Sequence, residues 1–241
     1  MEENVKNADM EQELVRVLQR VFSERLLSVM LYGSYVSGNY VPKLSDINVL
    51  VVLEKTLPED LEKLGKEAFR FIKKHKITPL IVSRTEFERS SDVFPMEYMD
   101  IRSRCRVLSG SDETEPLTLT PKNLRHQLEH LLRGNIISLR QLLVASRGKE
   151  AVLKNSVKNW YGSMNALFRG LIRLKGETPS ETEAETNITK VRDLYKVDTE
   201  PFGHLVAFRS GERQDPRGLV YGLIECLQEL ILVVDSLDGE Q

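Results

Sequence analysis

The chain has 241 residues, a formal net charge of −2, 41% hydrophobic residues and 29% charged residues. This composition is typical of a soluble globular protein and excludes the disordered and collagen-like classes. Nucleic-acid binders usually carry a basic excess, so the charge argues against a sequence-specific nucleic-acid partner. We expect no membrane partner, because no apolar run approaches the ~20 residues that span a bilayer. Two cysteines, Cys105 and Cys226, and a polar, acidic start favour a cytoplasmic location.

The first half of the chain alternates between helical and strand patterns of apolar residues. Helical spacing predicts helices, and continuous β-branched runs such as INVLVVL predict strands buried on both faces. We expect helices over 10–24, 58–76 and 84–90, and strands over 26–32, 47–53, 77–83 and, once or twice, within 94–108. Helices interleaved with strands predict an α+β fold, a mixed α/β sheet domain that we place at residues 1–113.

The second half contains helical patterns throughout. We expect helices over 123–147, 150–175, 188–196, 202–209 and 219–237, with a polar, mobile loop over 176–189. These segments predict an all-α domain, a helical bundle that we place at residues 114–241.

The segment 31–53, LYGSYVSGNYVPKLSDINVLVVL, combines a turn with polar side chains at the start of a strand. Glycine at position 33 lets the backbone turn sharply and approach a ligand closely. A turn that leads into a helix offers free N–H groups to a phosphate, and Ser34 adds a hydroxyl. Asp46 and Asn48 then face the same way, because side chains alternate along a strand. Two oxygen-bearing side chains beside a phosphate-binding turn favour a magnesium–nucleotide site.

The pattern Gly-Ser-x₃-Gly-x₆-Ser-Asp-x-(Asp), followed by an apolar strand, resembles the nucleotidyltransferase superfamily. That superfamily includes DNA polymerase beta and the kanamycin and streptomycin nucleotidyltransferases. The resemblance implies that Asp46 and position 48 hold Mg²⁺ or Mn²⁺, and that a third carboxylate binds metal or acts as general base. It also implies a set of residues that hold the triphosphate of an NTP: Gly33, Ser34, Ser37, Gly38 and Ser45.

The resemblance implies two ligands besides Asp46, one at position 48 and a third carboxylate on a later segment. Position 48 is Asn48, whose carbonyl oxygen can still bind a cation but which carries no negative charge. The third carboxylate should lie within 94–101, FPMEYMDI, where Glu97 and Asp100 would point to opposite faces of a regular strand. We prefer Glu97, because MEYM matches the family's apolar–acid–apolar–apolar pattern better. Asp100 is kept as the alternative catalytic carboxylate, and it could instead pair with a nearby arginine.

The resemblance implies a metal-dependent enzyme that transfers NMP from an NTP, with ATP expected, and releases pyrophosphate. The acceptor would be a hydroxyl group of a small molecule or of a protein. The lost charge at Asn48 leaves an alternative open: a nucleotidyltransferase-like module that binds nucleotide or a partner protein without turnover, in the manner of an antitoxin. A homodimer is also left open.

Four arginines recur at intervals of seven or eight residues along the first predicted helix of the second half. This spacing places Arg125, Arg133, Arg140 and Arg147 near one face of that helix. They would form either a basic wall that meets an anionic substrate or a solvated stripe beside a leucine-rich core face. We favour the solvated stripe, because charge stripes on helices usually face water.

Overall fold

A computed structural model of the chain describes residues 2–37, 45–157, 160–180 and 183–237. The chain divides into two compact units, Met1–Leu119 and Thr120–Gln241. The first unit contains a sheet with helices, and the second contains helices in its described residues. This confirms the predicted fold class, an α+β sheet region followed by a helical region.

Among the residues that the structure describes, the sheet of the first unit has four strands in the order β3-β2-β1-β4. Their bounds are Leu26–Tyr32 for β1, Ile47–Leu53 for β2, Ile77–Ser83 for β3 and Cys105–Ser109 for β4. Strand β1 runs antiparallel to both β2 and β4, whereas β2 and β3 are parallel. The three strands predicted from apolar runs are therefore confirmed, and the sheet is mixed. The predicted burial holds for β1 and β2, whereas β3 is an edge strand and is mostly half-buried.

Five helices accompany this sheet in the described part of the first unit. They are α1 at Glu2–Phe22, α2 at Ser34–Ser37, α3 at Pro58–His75, α4 at Arg84–Arg89 and α5 at Pro95–Ser103. Short 3₁₀ turns follow α1 and α4, at Ser23–Arg25 and Ser90–Asp92. The segment predicted to hold one or two strands within 94–108 is instead a helix followed by a single strand.

The alternation of side chains along the strands gives the sheet two apolar faces. On one face, Val49 and Val51 of β2 pack with Leu14 and Leu18 of α1 and with Leu64 of α3. Burial of such side chains is the main stabilising term of this layer, about 1.5–3 kcal/mol for each fully buried residue.

The opposite face is covered by shorter elements. There Leu50 and Val52 pack with Phe87 of α4 and with Tyr98 and Ile101 of α5. The two α5 side chains are three residues apart, so they share one side of a helix and reach the sheet together. A proline in the first turn also suits a helix start, since its missing N–H would have no partner there. Burial of this short apolar side explains why the segment forms a helix and not a strand.

A partly buried ion pair joins the start of α4 to the loop after β4. The carboxylate of Glu113 accepts hydrogen bonds from Nε and Nη2 of Arg84 at 2.8 and 2.7 Å, and from the Ser111 hydroxyl at 2.8 Å. The Glu113 side chain is 6% exposed. These donors hold the pKa of Glu113 below its usual value, because they favour the ionised form.

We expect Glu113→Gln to lower the free energy of unfolding by about 1–2 kcal/mol at neutral pH, since it weakens charge-assisted hydrogen bonds. A carboxyl with a lowered folded-state pKa stabilises the fold above its unfolded pKa of about 4.3, and this contribution disappears as pH falls. Urea unfolding at several pH values measures the difference, which should shrink under acid conditions. Glu62→Gln, at an exposed position, is the control. An equal loss at neutral and acid pH would contradict the ionic account.

Six helices form the described part of the second unit. They are α6 at Pro121–Ser146, α7 at Glu150–Val157, α8 at Tyr161–Leu174, α9 at Ala184–Tyr195, α10 at Glu200–Arg209 and α11 at Pro216–Ser236. The loop predicted over 176–189 is shorter than expected, because α9 begins at Ala184. Among the described residues, no helix has both the length and the hydropathy that crossing a membrane requires.

The arginine stripe on α6 is only partly solvated. Arg125 is buried and pairs with Glu129 one turn later, so the predicted solvated position is wrong for this residue. Arg133 pairs with Asp235 of α11 at 2.7 Å. Arg140 and Arg147 are exposed, as a solvated stripe requires.

Candidate active site

The Gly33 turn connects the end of β1 to α2. Gly33 has a φ of +78°, a conformation that favours glycine because other residues place a Cβ against the backbone. Its N–H donates to the Arg104 carbonyl at 3.2 Å, and its own carbonyl accepts from the N–H groups of Val36 and Ser37, both at 3.1 Å. The turn is therefore fixed on one side by the segment before β4 and on the other by α2.

Asn48 packs directly against this turn. It lies opposite Tyr32 in the β1–β2 pair, one residue from Gly33. A Cβ atom added to Gly33 would lie only 3.0 Å from Nδ2 of Asn48, which is closer than such atoms normally approach. The amide of Asn48 and the backbone of Gly33 thus form one surface at this edge of the sheet.

Asp46 lies at the mouth of β2, two residues before Asn48. It is exposed, and its carboxylate makes no hydrogen bond or ion pair with any described residue. The start of β2 is fixed by the Ile47 N–H, which donates to the Lys76 carbonyl at 2.8 Å. A solvated carboxylate at the start of a fixed strand is available to a cation that arrives with a ligand.

The serines of the predicted set lie on both sides of this surface. Ser34 and Ser37 are half-buried in α2, where the Ser37 hydroxyl donates to the Ser34 carbonyl at 3.4 Å. Ser45 is half-buried immediately before Asp46. Gly38 lies outside the described residues.

The two candidate third carboxylates both lie on α5. Because α5 is a helix, Glu97 and Asp100 point to the same side, and the expectation of opposite faces is wrong. Asp100 pairs with Arg104 at 3.6 Å, whereas Glu97 is exposed in the first turn of the helix. The Arg104 carbonyl accepts a hydrogen bond from the Gly33 N–H, and Asp100 and Glu97 lie four and seven residues before Arg104 in the chain.

The donor set fits one divalent cation better than two. In the described part of the chain, no group of three or more His, Cys, Asp or Glu residues could hold a metal ion. Mg²⁺ in nucleotide sites is often held by one or two carboxylates together with substrate phosphates. Asp46 and Asn48 offer one carboxylate and one neutral amide oxygen at the start of β2, which is fewer charges than a two-cation site requires.

A polar network, which the sequence analysis missed, anchors α2 to the sheet. The Tyr35 hydroxyl donates to Oε1 of Glu11 in α1 at 3.1 Å. Arg106 of β4 donates two hydrogen bonds to the same carboxylate, at 2.9 and 2.7 Å, and these raise the pKa of Arg106. The three residues are far apart along the chain, so no local sequence pattern marks them.

Two further groups near this edge have raised pKa values. Tyr32 and Cys105 are partners in the β1–β4 pair. Burial raises the pKa of the Tyr32 hydroxyl, and burial together with the nearby Asp112 carboxylate raises the pKa of the Cys105 thiol. Because the thiolate is the nucleophilic form, Cys105 is a poor nucleophile here.

A comparison with known protein families finds a match over the region of the chain that contains this site. Residues 11–108 match the family model described as nucleotidyltransferase domain, and the match includes β1, the Gly33 turn and β2. These residues form a nucleotidyltransferase domain. The resemblance inferred from the Gly-Ser and Ser-Asp pattern is thereby confirmed.

Among solved structures, the chain is similar to spectinomycin adenyltransferase AAD(9) from Enterococcus faecialis, determined with ATP and spectinomycin. The TM-score is 0.54 at 15% sequence identity, and the match covers 92% of this chain and 99% of that chain. At this identity the match shows a shared fold, a nucleotidyltransferase domain followed by a helical region. No curated protein sequence matches the chain at a significant level.

Proposed function

We propose that this protein transfers NMP from an NTP, with ATP the expected donor, to a hydroxyl group of a small molecule, and releases pyrophosphate. The observation that carries the proposal is the surface formed by the Gly33 turn and Asn48, with the exposed carboxylate of Asp46 two residues before Asn48. This surface lies within the nucleotidyltransferase domain.

The residues of the turn would bind and orient the polyphosphate. Ser34 offers a hydroxyl, and the backbone at Gly33 carries no side chain that would keep a phosphate away. Ser37, Gly38 and Ser45 are proposed as further contacts of the nucleotide. The hydrogen bonds that join Glu11 to Tyr35 and Arg106, which we call the Glu11 network, support this role. They tie α2, through Tyr35, to α1 and β4.

Asp46 and the amide oxygen of Asn48 would hold Mg²⁺, or Mn²⁺, together with phosphate oxygens of the nucleotide. When bound, the ion would stabilise the negative charge that develops on the phosphate oxygens. The contribution of the chain is to place one carboxylate and one neutral oxygen next to the rigid turn, so that nucleotide and carboxylate share a cation.

A general base must accept the proton of the attacking hydroxyl group. We propose Asp100 for this role, with Glu97 as the second choice, because Asp100 stands one helical turn from the segment that contacts Gly33. Arg104, paired with Asp100 at 3.6 Å, would orient the carboxylate.

The acceptor class rests on the shared fold. The similar structure was determined with ATP and spectinomycin, a nucleotide and a small molecule. The match covers nearly all of both chains, which supports a small-molecule acceptor here as well. A hydroxylated small molecule is therefore the first acceptor class to test.

A second function is favoured by the composition of the site. Asn48 replaces a charged ligand, and the described residues contain no cluster of three candidate metal ligands. Such a site could bind NTP without transferring NMP, and the protein would then be a nucleotide-responsive binding module. Both functions require NTP binding, and only the first requires pyrophosphate release.

Asn48→Asp separates the two functions. In an enzyme, the added carboxylate should raise Mg²⁺-dependent pyrophosphate release about tenfold, or reduce the Mg²⁺ concentration needed, because it strengthens a hard-cation site. The assay measures released pyrophosphate, and in parallel the label transferred from α-labelled NTP, with a panel of hydroxylated small molecules and the purified full chain.

The control for this substitution is Asn155→Asp, at an exposed position of α7, which should change neither quantity. A binding module would show an NTP-induced rise in melting temperature in both proteins but pyrophosphate release in neither. If no NTP raises the melting temperature of the wild type in Mg²⁺, both functions are wrong.

A further inference from the structure

The outer surface of helices α6 and α11 exposes an unusual amount of apolar area. On α6, Ile137 and Val144 are 54% and 80% exposed, and on α11, Tyr221 and Leu232 are 51% and 70% exposed. Each pair is spaced by whole helical turns, seven and eleven residues, so its members share one side of their helix. Scattered surface apolar residues are normal, but four of them on two packed helices indicate an interaction site.

These two helices pack side by side in opposite directions. Arg133 of α6 pairs with Asp235 near the end of α11 at 2.7 Å, and Arg217 near its start donates to the Gly148 carbonyl, just after α6, at 3.2 Å. Between them lies a groove of about 420 Å³, lined in part by Ile137, Arg140, Gln228 and Leu232. We call the solvent side of this helix pair the α6–α11 face. It consists of Arg133, Ile137, Arg140, Val144, Tyr221, Glu225, Gln228 and Leu232.

The two edges of the α6–α11 face carry opposite charge. The α6 side is basic, with the exposed Arg140 and Arg147. The α11 side is acidic, with the exposed Glu225 and Glu229. Arg133 and Asp235 already pair with each other within one copy, at 2.7 Å, and do not contribute to this difference. A surface of this kind is complementary to itself when a second copy is turned so that unlike edges meet.

We propose that the α6–α11 face is a homodimer interface. A twofold axis parallel to the helices would set α6 of one copy against α11 of the other, so that each basic edge meets an acidic edge. The other face-to-face arrangement sets α6 against α6. It would bring Arg140 of one copy close to Arg140 of the second copy and is disfavoured by charge repulsion. The apolar residues would then pack between the copies, and Arg140 would pair with Glu225 of the second copy.

The proposal is independent of NMP transfer, since it uses no residue of the nucleotide site. A different occupant, such as an acidic amphipathic helix of another protein, would leave the purified chain monomeric. A monomer at every concentration therefore overturns the homodimer.

Sedimentation velocity over a range of concentrations of the full chain tests the interface. We expect a monomer–dimer equilibrium, and Leu232→Glu should weaken dimerisation by at least about tenfold, because a charge would be buried against apolar residues. The melting temperature of the diluted monomer should change little, since Leu232 is exposed. Phe69→Glu, at an exposed apolar position of α3, is the matched control and should leave the equilibrium unchanged.

A charge exchange tests the arrangement of the two copies. Arg140→Glu and Glu225→Arg should each weaken the dimer, and the double variant should restore most of the affinity. Restoration supports α6 against α11. If the double variant is weaker than either single variant, the proposed axis is wrong, and if Leu232→Glu leaves the dimer intact, the proposed interface is wrong.

Discussion

Replacing Asp46 with asparagine is expected to reduce NMP transfer by about 100-fold or more. Asn48 already supplies an uncharged oxygen, so Asp46→Asn leaves the mouth of β2 without the carboxylate proposed to hold the cation. A bound cation contributes several kcal/mol of charge stabilisation in phosphoryl transfer, and each 1.4 kcal/mol corresponds to about tenfold in rate. The substitution is nearly isosteric, so the effect is one of charge.

The fold itself should tolerate Asp46→Asn. The Asp46 carboxylate is exposed and makes no hydrogen bond or ion pair with any described residue, so the melting temperature without ligand should stay within the error of the measurement. The NTP-induced rise in melting temperature should become smaller and lose its dependence on Mg²⁺. Transfer of label from α-labelled NTP measures the loss of activity.

The matched control is Glu54→Gln, an exposed carboxylate at the other end of β2, which should retain full transfer activity. Should Asp46→Asn transfer NMP as fast as the wild type, the reaction does not use this site. Equal loss in both variants would instead indicate a general effect of charge on the domain.

Replacing Gly33 with alanine is expected to damage both stability and nucleotide binding. The positive φ of +78° costs an L-residue roughly 1–2 kcal/mol, and the new Cβ would lie 3.0 Å from the Asn48 amide. Relief of this contact requires the turn or Asn48 to move. We therefore expect the free energy of unfolding to fall by about 1–3 kcal/mol and NTP affinity to fall about tenfold or more.

Gly65→Ala is the control, and we expect it to raise stability where Gly33→Ala lowers it. Gly65 lies in the interior of α3, and a Cβ atom there would meet nothing within 4 Å. In a helix interior, alanine is more stable than glycine by about 0.5–1 kcal/mol, so this variant should melt higher and bind NTP normally. Urea unfolding and NTP titration of both variants give the comparison. A Gly33→Ala protein that binds NTP with unchanged affinity would show that the turn does not contact the nucleotide.

The segment 94–103 shows where sequence patterns were insufficient. Its apolar–acid–apolar–apolar order fits a strand, yet Tyr98 and Ile101 bury one side of a helix against Leu50 and Val52. A short apolar segment fits both the helical period of about 3.6 residues and the strand period of 2. The surface available for packing decides which of the two structures forms. The consequence for the site is direct, because Glu97 and Asp100 share a side in the helix and would not do so in a strand.

The Glu11 network shows a second limit of prediction from a single sequence. Hydrogen bonds join Glu11 to Tyr35 and Arg106, which are separated by up to 95 residues along the chain. Each of these residues is common and unremarkable within its own helix or strand. Their contact depends on α1 packing across β1, and a single sequence contains no local signal of that packing.

The sequence alone determined the local features of this protein. The buried strands, the Gly33 turn, the order of Ser45 and Asp46 before β2, and the change to helices in the second half follow from short-range periodicity and from backbone preferences. Tertiary structure decided that both candidate third carboxylates lie on one helix, that Asp100 pairs with Arg104, and which surface of the second unit remains open. The physical reason is that these properties depend on side chains brought together from distant positions, whose packing no short pattern encodes.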